Sequence, residues 1–382
     1  MDAAEFIDST TGTLIPTLEK ASAFVPAPLP PNIDLGVIAL PMASAMQAIG
    51  ELKGACRRLQ NPYILVRPLQ RREALTSSAM EGTFTTDDEL LLTEAGIKTN
   101  PNDSTREVYN YLKALSNSLE MLETLPISHR VLKSAHATLL SGLSAPRGAN
   151  KRPGEYKKDQ NWIGGITIDR ARFVPPPAAE TMVCMDQLEA YINRENKVFP
   201  TPLIDLALVH YQIETIHPFA DGNGRVGRML ISLMAVHSGL LDMPILYMSP
   251  TLEKYKDTYI DLMYNVSSRG EWADWICFFF EKLSESCREA IEIIDRLINL
   301  QEEYRSIATG LSRSAGAITL VDHLFEKPTL TVNDAQKKLN VTYPAAKNTI
   351  DKLVEARILV PFEGIYPKLF VAPEIVRISR PK

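Results

Sequence analysis

Four cysteines in 382 residues, Cys56, Cys184, Cys277 and Cys287, are too few and too widely spaced for a disulfide framework or a metal-ligand pair, and they read as reduced structural thiols. No run of residues approaches the roughly eighteen apolar positions that span a bilayer. The opening MDAAEFIDSTTG lacks the basic and apolar regions of a signal peptide. Together these absences give the expectation of a cytoplasmic chain with no membrane partner. An excess of one charge is also missing: 41 Lys and Arg against 46 Asp and Glu leave −5, which by itself points to neither nucleic acid nor an anionic surface. There is no internal repeat and no low-complexity tract. What the chain does have is 45% hydrophobic residues over a length that suits two or three domains with a sizeable core.

Residues up to about Pro31 are rich in Pro, Ala and Thr, with a short LEKASAF turn, and are expected to wrap over the core. From about Ile33 to Ala308 helical periodicity dominates, so the fold class is mainly α. After Gly310 the pattern becomes helix, short extended piece, helix, four-residue turn, helix and strand. Thr342 is a good N-cap and Pro344 sits in the opening turn of the last helix. This is the layout of a winged helix-turn-helix over 311–382, with Tyr343 to Ala356 in the recognition position and FEGIYPKLFVA as the wing. From Leu311 onward eleven Lys or Arg stand against seven Asp or Glu, a weak basic bias. Lys347, Lys352 and Arg357 could meet phosphates, but Asp351 and Glu355 share the same helix, and such modules also bind proteins or dimerise.

The densest chemistry lies in His217 to Arg228, HPFADGNGRVGR. The apolar stretch TPLIDLALVHYQIETI has helical spacing and is stopped at Pro218, which leaves His217 at the helix end or in the loop. A histidine there, with an ordinary pKa of roughly 6.5, can act as a general base towards a hydroxyl. Asp221 is a hard oxygen ligand, and a single carboxylate beside a phosphate site is enough for Mg²⁺. Gly222, Asn223 and Gly224 let the backbone turn tightly where a second helix, Arg225 to Ser238, is expected to begin, so that N–H groups face an anion. Arg225 and Arg228 are three apart on one helix face, a spacing that can clamp successive phosphates. Phe219 is expected to pack beneath the loop.

With these residues the chain resembles the Fic (filamentation induced by cyclic AMP) family, whose motif is HPF, any residue, Asp or Glu, GNGR, two of any kind, then Arg; all nine specified positions are present. The resemblance implies a protein adenylyltransferase that moves AMP from ATP to a Ser, Thr or Tyr hydroxyl with release of pyrophosphate. It implies that His217 deprotonates the target and that Asp221 holds Mg²⁺ between the α- and β-phosphates. Gly222, Asn223 and Gly224 would form the anion hole, and Arg225 and Arg228 would bind the β- and γ-phosphates.

A second element, Ser77 to Gly82 within RREALTSSAMEGTFTTDDEL, is similar to the inhibitory motif of that family: Ser or Thr, three residues, Glu, then Gly or Asn. Its physics stands alone. Pro68 to Met80 reads as a helix that Gly82 ends, so Glu81 lies at a C-terminal turn whose dipole disfavours a negative charge and calls for a cation. The resemblance supplies Arg228; a surface partner such as Arg72 is the alternative. NWIGGITIDRARFVPPP alternates around an Asp-Arg turn and predicts a β-hairpin from about Trp162 to Val174, the flap in the family, ended by Pro175 to Pro177.

The expected domains are 1–100 with the inhibitory helix over about 68–81, 101–308 with the flap over about 162–174 and the motif at 217–228, and 311–382. Tyr255, Tyr259 and Met263 recur at four-residue steps, a stripe more often core than ligand contact; the resemblance makes Tyr255 and Gln212 candidates for the base of the nucleotide. His210 and Glu214 read as supports of the loop, and His136, His237 and His323 as structural. Self-modification, a homodimer, and DNA or a protein on the winged helix are all compatible with the chain. Two other readings share the motif: a transferase of another phosphate-containing group or a de-AMPylase, and a DNA-binding regulator whose site senses a nucleotide.

Overall fold

The computed structural model describes residues 1–6, 9–19, 21–57, 63–97, 100–311 and 315–380. The amino-terminal part holds a hairpin of β1 (Gly12–Pro16) and β2 (Ser22–Pro26), then α1 (Leu35–Arg57), α2 (Tyr63–Ala79), α3 (Asp87–Glu94), α4 (Asp103–Leu122) and α5 (His129–Leu139). After a long loop come α6 (Ala178–Ile192), α7 (Pro202–Ile216), α8 (Asn223–His237), α9 (Ser249–Lys254), α10 (Lys256–Arg269) and the 40-residue α11 (Trp272–Leu311). The last part is α12 (Gly316–Glu326), β3 (Thr329–Thr331), α13 (Val332–Leu339), α14 (Tyr343–Glu355), β4 (Val360–Pro361), β5 (Leu369–Val371) and α15 (Pro373–Ser379). The expectation of a mainly α fold holds.

The middle of the molecule is a pair of neighbouring helices, α7 and α8, buried almost all round. A helix apolar on every side belongs inside a core. α7 starts on Thr201, whose hydroxyl accepts from Leu203 N–H, with Pro202 in the first position, and stops at His217. α11 passes behind this pair and packs most extensively on α1. Its Trp275 is fully buried and donates its indole N–H to the Ala207 carbonyl at 3.0 Å, which fixes α11 against α7.

Several expectations are corrected. α1 is long and apolar enough to meet the length and composition of a membrane span, against the expectation that no stretch does so. One face of it, including Ile38, Ala45, Ile49 and Leu52, packs into the common core. α2 begins at Tyr63 rather than near Pro68; the ring costs one intrahelical hydrogen bond without ending the helix. The segment before Pro31 does cover the core, but as a hairpin, with β2 donating from Phe24 N–H to the Val174 carbonyl at 2.9 Å.

The flap does not form two regular strands. A single bridge, Ile163 to Phe173, closes a loop with a short 3₁₀ turn over Ile168–Arg170. Gly164 and Gly165 both have positive φ, 69° and 81°, which turns the chain out of the ladder after one pair. A Cβ on Gly165 would lie 2.4 Å from the Arg170 carbonyl oxygen.

In the carboxy-terminal part a capping box between Thr331 and Asp334 starts α13, and the strands form an antiparallel sheet in the order β3-β5-β4. Its apolar residues belong to the same buried cluster as the rest of the chain. Arg305 of α11 grips Asp322 of α12 through two hydrogen bonds of 2.7 and 2.8 Å. α12 and α15 both pack on α2, and Arg380 pairs with Asp87 at 2.6 Å.

Gly165→Ala combines a positive φ with a backbone clash. It is expected to speed tryptic cleavage after Arg170 and Arg172 several-fold while leaving the midpoint of thermal unfolding unchanged, because the flap contributes nothing to the main core cluster. A lowered midpoint with unchanged cleavage would show that the flap is part of the cooperative core.

Candidate functional site

His217 is the C-cap of α7 in a left-handed conformation, φ 49° and ψ 59°, uncommon for a residue with a side chain. The loop it opens is held by an internal strap. Lys157 donates its backbone N–H to the Pro218 carbonyl at 2.8 Å, and its buried ammonium reaches Asn161 Oδ1 at 2.7 Å and the Ile216 carbonyl at 3.2 Å. Asn161 passes this on by donating its amide to the His217 and Phe219 carbonyls, each at 3.0 Å. From the other side Asn223 accepts from Phe219 N–H at 2.7 Å and donates back to the Phe219 carbonyl at 2.8 Å.

The Phe219 ring is fully buried beneath the loop, as expected, and stacks on His136 with centroids 4.0 Å apart. His136 Nδ1 accepts from Gly154 N–H at 3.0 Å, so its Nε2–H is the group that donates to the Asp221 carbonyl at 3.1 Å. Burial lowers His136 to about 4 and keeps it neutral.

The same reasoning assigns the tautomer of His217. Its Nδ1 lies 3.2 Å from the Glu214 carbonyl, which can only accept, so Nδ1 carries the hydrogen and Nε2 has a free lone pair. Burial, with help from the Lys157 charge, brings His217 down to about 4. The imidazole is therefore neutral at pH 7, the form a base needs. Glu214 beside it is pushed up to about 7 by burial. His210 supports α8 from below, with Nδ1 3.2 Å from the Gly227 carbonyl and Nε2 2.9 Å from the Tyr259 hydroxyl.

Gly222, at φ 76°, makes the turn into α8, which begins at Asn223 rather than Arg225. The positive end of that helix already faces a carboxylate. A Cβ placed on Gly224 would lie 2.2 Å from Oε1 of Glu81, so the glutamate rests directly on the glycine backbone. Glu81 also accepts from Arg228 Nη2 at 2.8 Å, and Arg228 holds the end of α2 twice more, from Nε to the Ser77 hydroxyl at 3.0 Å and from Nη2 to the Ser77 carbonyl at 2.8 Å. Burial opposes the charge of Glu81, but Arg228, and then Arg225, hold its carboxyl below the usual range. The Arg72 alternative is excluded, since Arg72 pairs with Glu289 at 2.8 Å.

A pocket of about 190 Å³ opens beside this contact, lined by Glu81, His217, Gly224 and Arg228 together with the apolar or aromatic Phe173, Ile260, Met263 and Tyr264.

Asp221, in the turn before α8, is not among the residues that line this pocket. Oδ1 accepts from Gly222 N–H at 2.6 Å and from Arg225 at 3.2 Å, while among the described residues Oδ2 has only Lys151, 4.0 Å away. One carboxylate oxygen is thus free to take a cation. Among the described residues no group of three or more His, Cys, Asp or Glu could hold a metal.

The structure thus brings Glu81, Ser77, His217, Asp221, Gly222, Gly224 and Arg228 together. It differs at three expected positions. Arg225 is buried and paired with Glu107 and Asp221, so its guanidinium is a strut of the loop. Asn223 commits its side chain to Phe219, while the expectation for it concerned its backbone N–H at the start of α8. Gln212 is buried and donates to the Ala27 carbonyl at 3.0 Å, tying the amino-terminal hairpin to α7, and it does not line the pocket. Tyr255 is also outside the pocket lining, with the Lys282 ammonium 3.7 Å from its ring centre.

Sequence reasoning missed Glu107, Lys157, Asn161 and Lys256. Only Glu107 left a signal, as a carboxylate on the buried face of the amphipathic α4 beside Val108, Tyr111 and Leu115.

A model described as Fic/DOC family N-terminal matches residues 40–120, and a model described as Fic/DOC family matches residues 126–235. The chain is 30% identical over 104 residues to the protein adenylyltransferase Fic of Culex quinquefasciatus, covering 27% of this chain and 19% of that one. It is 25% identical over 199 residues to the protein adenylyltransferase Fic of Drosophila melanogaster, covering 51% of this chain and 37% of that one. The chain spans well under half the length of these curated relatives. Among solved structures, a Fic family protein from Desulfovibrio desulfuricans G20 superimposes with a TM-score of 0.57 at 19% identity, over 90% of this chain and 98% of that one. A Fic domain containing signaling protein from Bacteroides thetaiotaomicron VPI-5482 gives 0.52 at 22% identity, over 65% and 97%.

The raised Glu214 carboxyl sets a pH dependence. A group whose pKa rises from 4.5 to about 7 on folding holds its proton more tightly in the fold, so its contribution to stability is complete below about 4.5 and is lost as pH rises through about 7. Glu214→Gln is expected to remove that slope, up to about 3 kcal/mol across the window. Urea denaturation of both proteins between those pH values checks this, and parallel curves would refute it.

Proposed function

Because the chain belongs to the Fic/DOC family, we propose that it is a protein adenylyltransferase, moving AMP from ATP to a Ser, Thr or Tyr hydroxyl and held in check by Glu81. The observation that carries this reading is the Glu81 carboxylate lying on Gly224 in the grip of Arg228. A carboxylate stands there where a helix N-terminus and an arginine would otherwise receive a phosphate.

In the transfer step Nε2 of His217 takes the proton of the target hydroxyl as its oxygen bonds to the α-phosphorus. The bond from that phosphorus to the oxygen bridging to the β-phosphate breaks, and pyrophosphate leaves. His217 is neutral beforehand, and the phosphate charge beside it raises its affinity for the incoming proton. The backbone N–H groups of Gly222 to Gly224 hold phosphate oxygens, and Arg228 takes the terminal phosphate once Glu81 has left it. Arg225 serves from behind, keeping Asp221 in place. Asp221 Oδ2 would hold Mg²⁺, which when bound neutralises phosphate charge between the α and β positions.

The flap bridge Ile163 to Phe173 leaves an edge over the pocket along which an extended target segment can lie. The segment from α12 to α15 reads as a winged helix with α14 in the recognition position, and the cytoplasm is the compartment we assign.

Wild type, Glu81→Gly and Glu81→Gly/His217→Ala, incubated with Mg²⁺ and ATP labelled at the α-phosphate, test the proposal. Label is expected to rise at least about tenfold in the single variant, the factor that freeing a charge-assisted partner supports. It is expected to fall roughly 10²–10⁴-fold when the general base is removed as well. Absence of label from all three, on the protein and on a cell lysate, would overturn the reading.

A further inference from the structure

The end of α2 is held by cations at two carbonyls. Arg228 takes the Ser77 carbonyl, and Lys256 donates from Nζ to the Met80 carbonyl at 2.7 Å. Lys256 is the first residue of α10, where the positive end of its own helix disfavours an ammonium. The unpaired carbonyls at the carboxy-terminal end of α2 offset that cost, because a helix C-terminus favours a cation.

The Met80 carbonyl belongs to the same peptide group as the Glu81 N–H. That N–H donates to the Ser78 carbonyl at 3.0 Å, so the peptide is fastened at both of its polar atoms. A planar peptide held at both ends fixes where the next Cα lies, and the Gly82 and Thr83 N–H bonds beyond it limit rotation about that residue's N–Cα bond, so its side chain leaves in a set direction. Here that side chain is Glu81, and it is aimed at Arg228 and Gly224. Immediately afterwards the chain turns at Gly82, φ 76°, with Gly82 N–H and Thr83 N–H closing on the Ala79 and Ser78 carbonyls, which leaves the Met80 carbonyl to Lys256. Lys256 also lines the pocket beside Glu81 and Arg228.

We propose that Lys256 is a positioning residue of the inhibitory contact: its bond to the Met80 carbonyl holds the peptide that points Glu81 at Arg228, so that losing the bond weakens inhibition although Glu81 is intact. This rests on the reading of Glu81 as inhibitory.

The experiment compares Lys256→Met and Lys256→Arg, each in the wild-type and Glu81→Gly backgrounds, by AMP transfer from labelled ATP and by amide hydrogen exchange over residues 79–83. Lys256→Met is expected to raise transfer about tenfold over wild type and to speed exchange of those amides by a similar factor, the effect expected for a charge-assisted hydrogen bond. It is expected to add nothing in the Glu81→Gly background, where no carboxylate remains to be aimed. Lys256→Arg restores a cation and is expected to return both readouts towards wild type. Transfer that falls in both backgrounds would make Lys256 a nucleotide ligand and overturn the proposal, as would unchanged exchange over 79–83 in Lys256→Met. Should Glu81→Gly itself transfer nothing, the adenylyltransferase reading fails, and the exchange measurement still decides whether Lys256 holds the turn.

Discussion

A buried guanidinium cannot be left without an anion, and much of the site follows from meeting that requirement at Arg228. The side chain is 3% exposed and its bonds run to the Ser77 hydroxyl and carbonyl and to Glu81. An unpaired charge at that depth is costly, so one anion or another has to be present. The fold supplies Glu81. A phosphate would satisfy the same need, which makes the two competitors for one cation. Glu73 anchors the same helix from another side, accepting from the Tyr111 hydroxyl at 3.1 Å and from Ser249 N–H at 3.1 Å. α2 is thereby seated by groups on α4 and α9 as well as by Arg228.

The motif from His217 to Arg228 was readable because its parts are contiguous and each has a local reason: a proline that ends a helix, a glycine that turns, a histidine at the exit. Glu81 was readable for a similar reason, since a carboxylate at a helix C-terminus needs a cation. What could not be read depends on the third dimension. Lys157 and Lys158 are neighbours of one type, yet Lys157 is buried under the motif loop while Lys158 pairs with Glu155 at the surface. Arg225 and Arg228 looked equivalent on one helix face, and the position of Glu107 on α4 is what separates them.

Pattern reading also overextended alternation. NWIGGITIDRARF alternates like a hairpin, but two glycines with positive φ allow only one bridge. GTLIP and SAFVP are five-residue strands bounded by proline, too short to announce themselves, and they form the hairpin that braces the flap and α7. Gln212 belongs to that bracing. Its place near the motif reflects its bond to Ala27, a segment far away in sequence.

The pairing of α1 with α11 has a consequence in time. During synthesis α1 leaves the ribosome early, and its main partner is made only after the whole motif, at about 5–20 residues per second. Until then the apolar face with Ile38, Ala45 and Leu52 has nothing to cover it, and α2 lacks its neighbours α12 and α15. The nascent chain therefore carries the His217 to Arg228 segment, with the Lys157, Asn161 and His136 groups that hold its loop, before α11 is made to pack on α7. The contact of Glu81 with Arg228 ties α2 to that loop, so the loop and the helix that lies on it are fully seated only once α12 and α15 have been made.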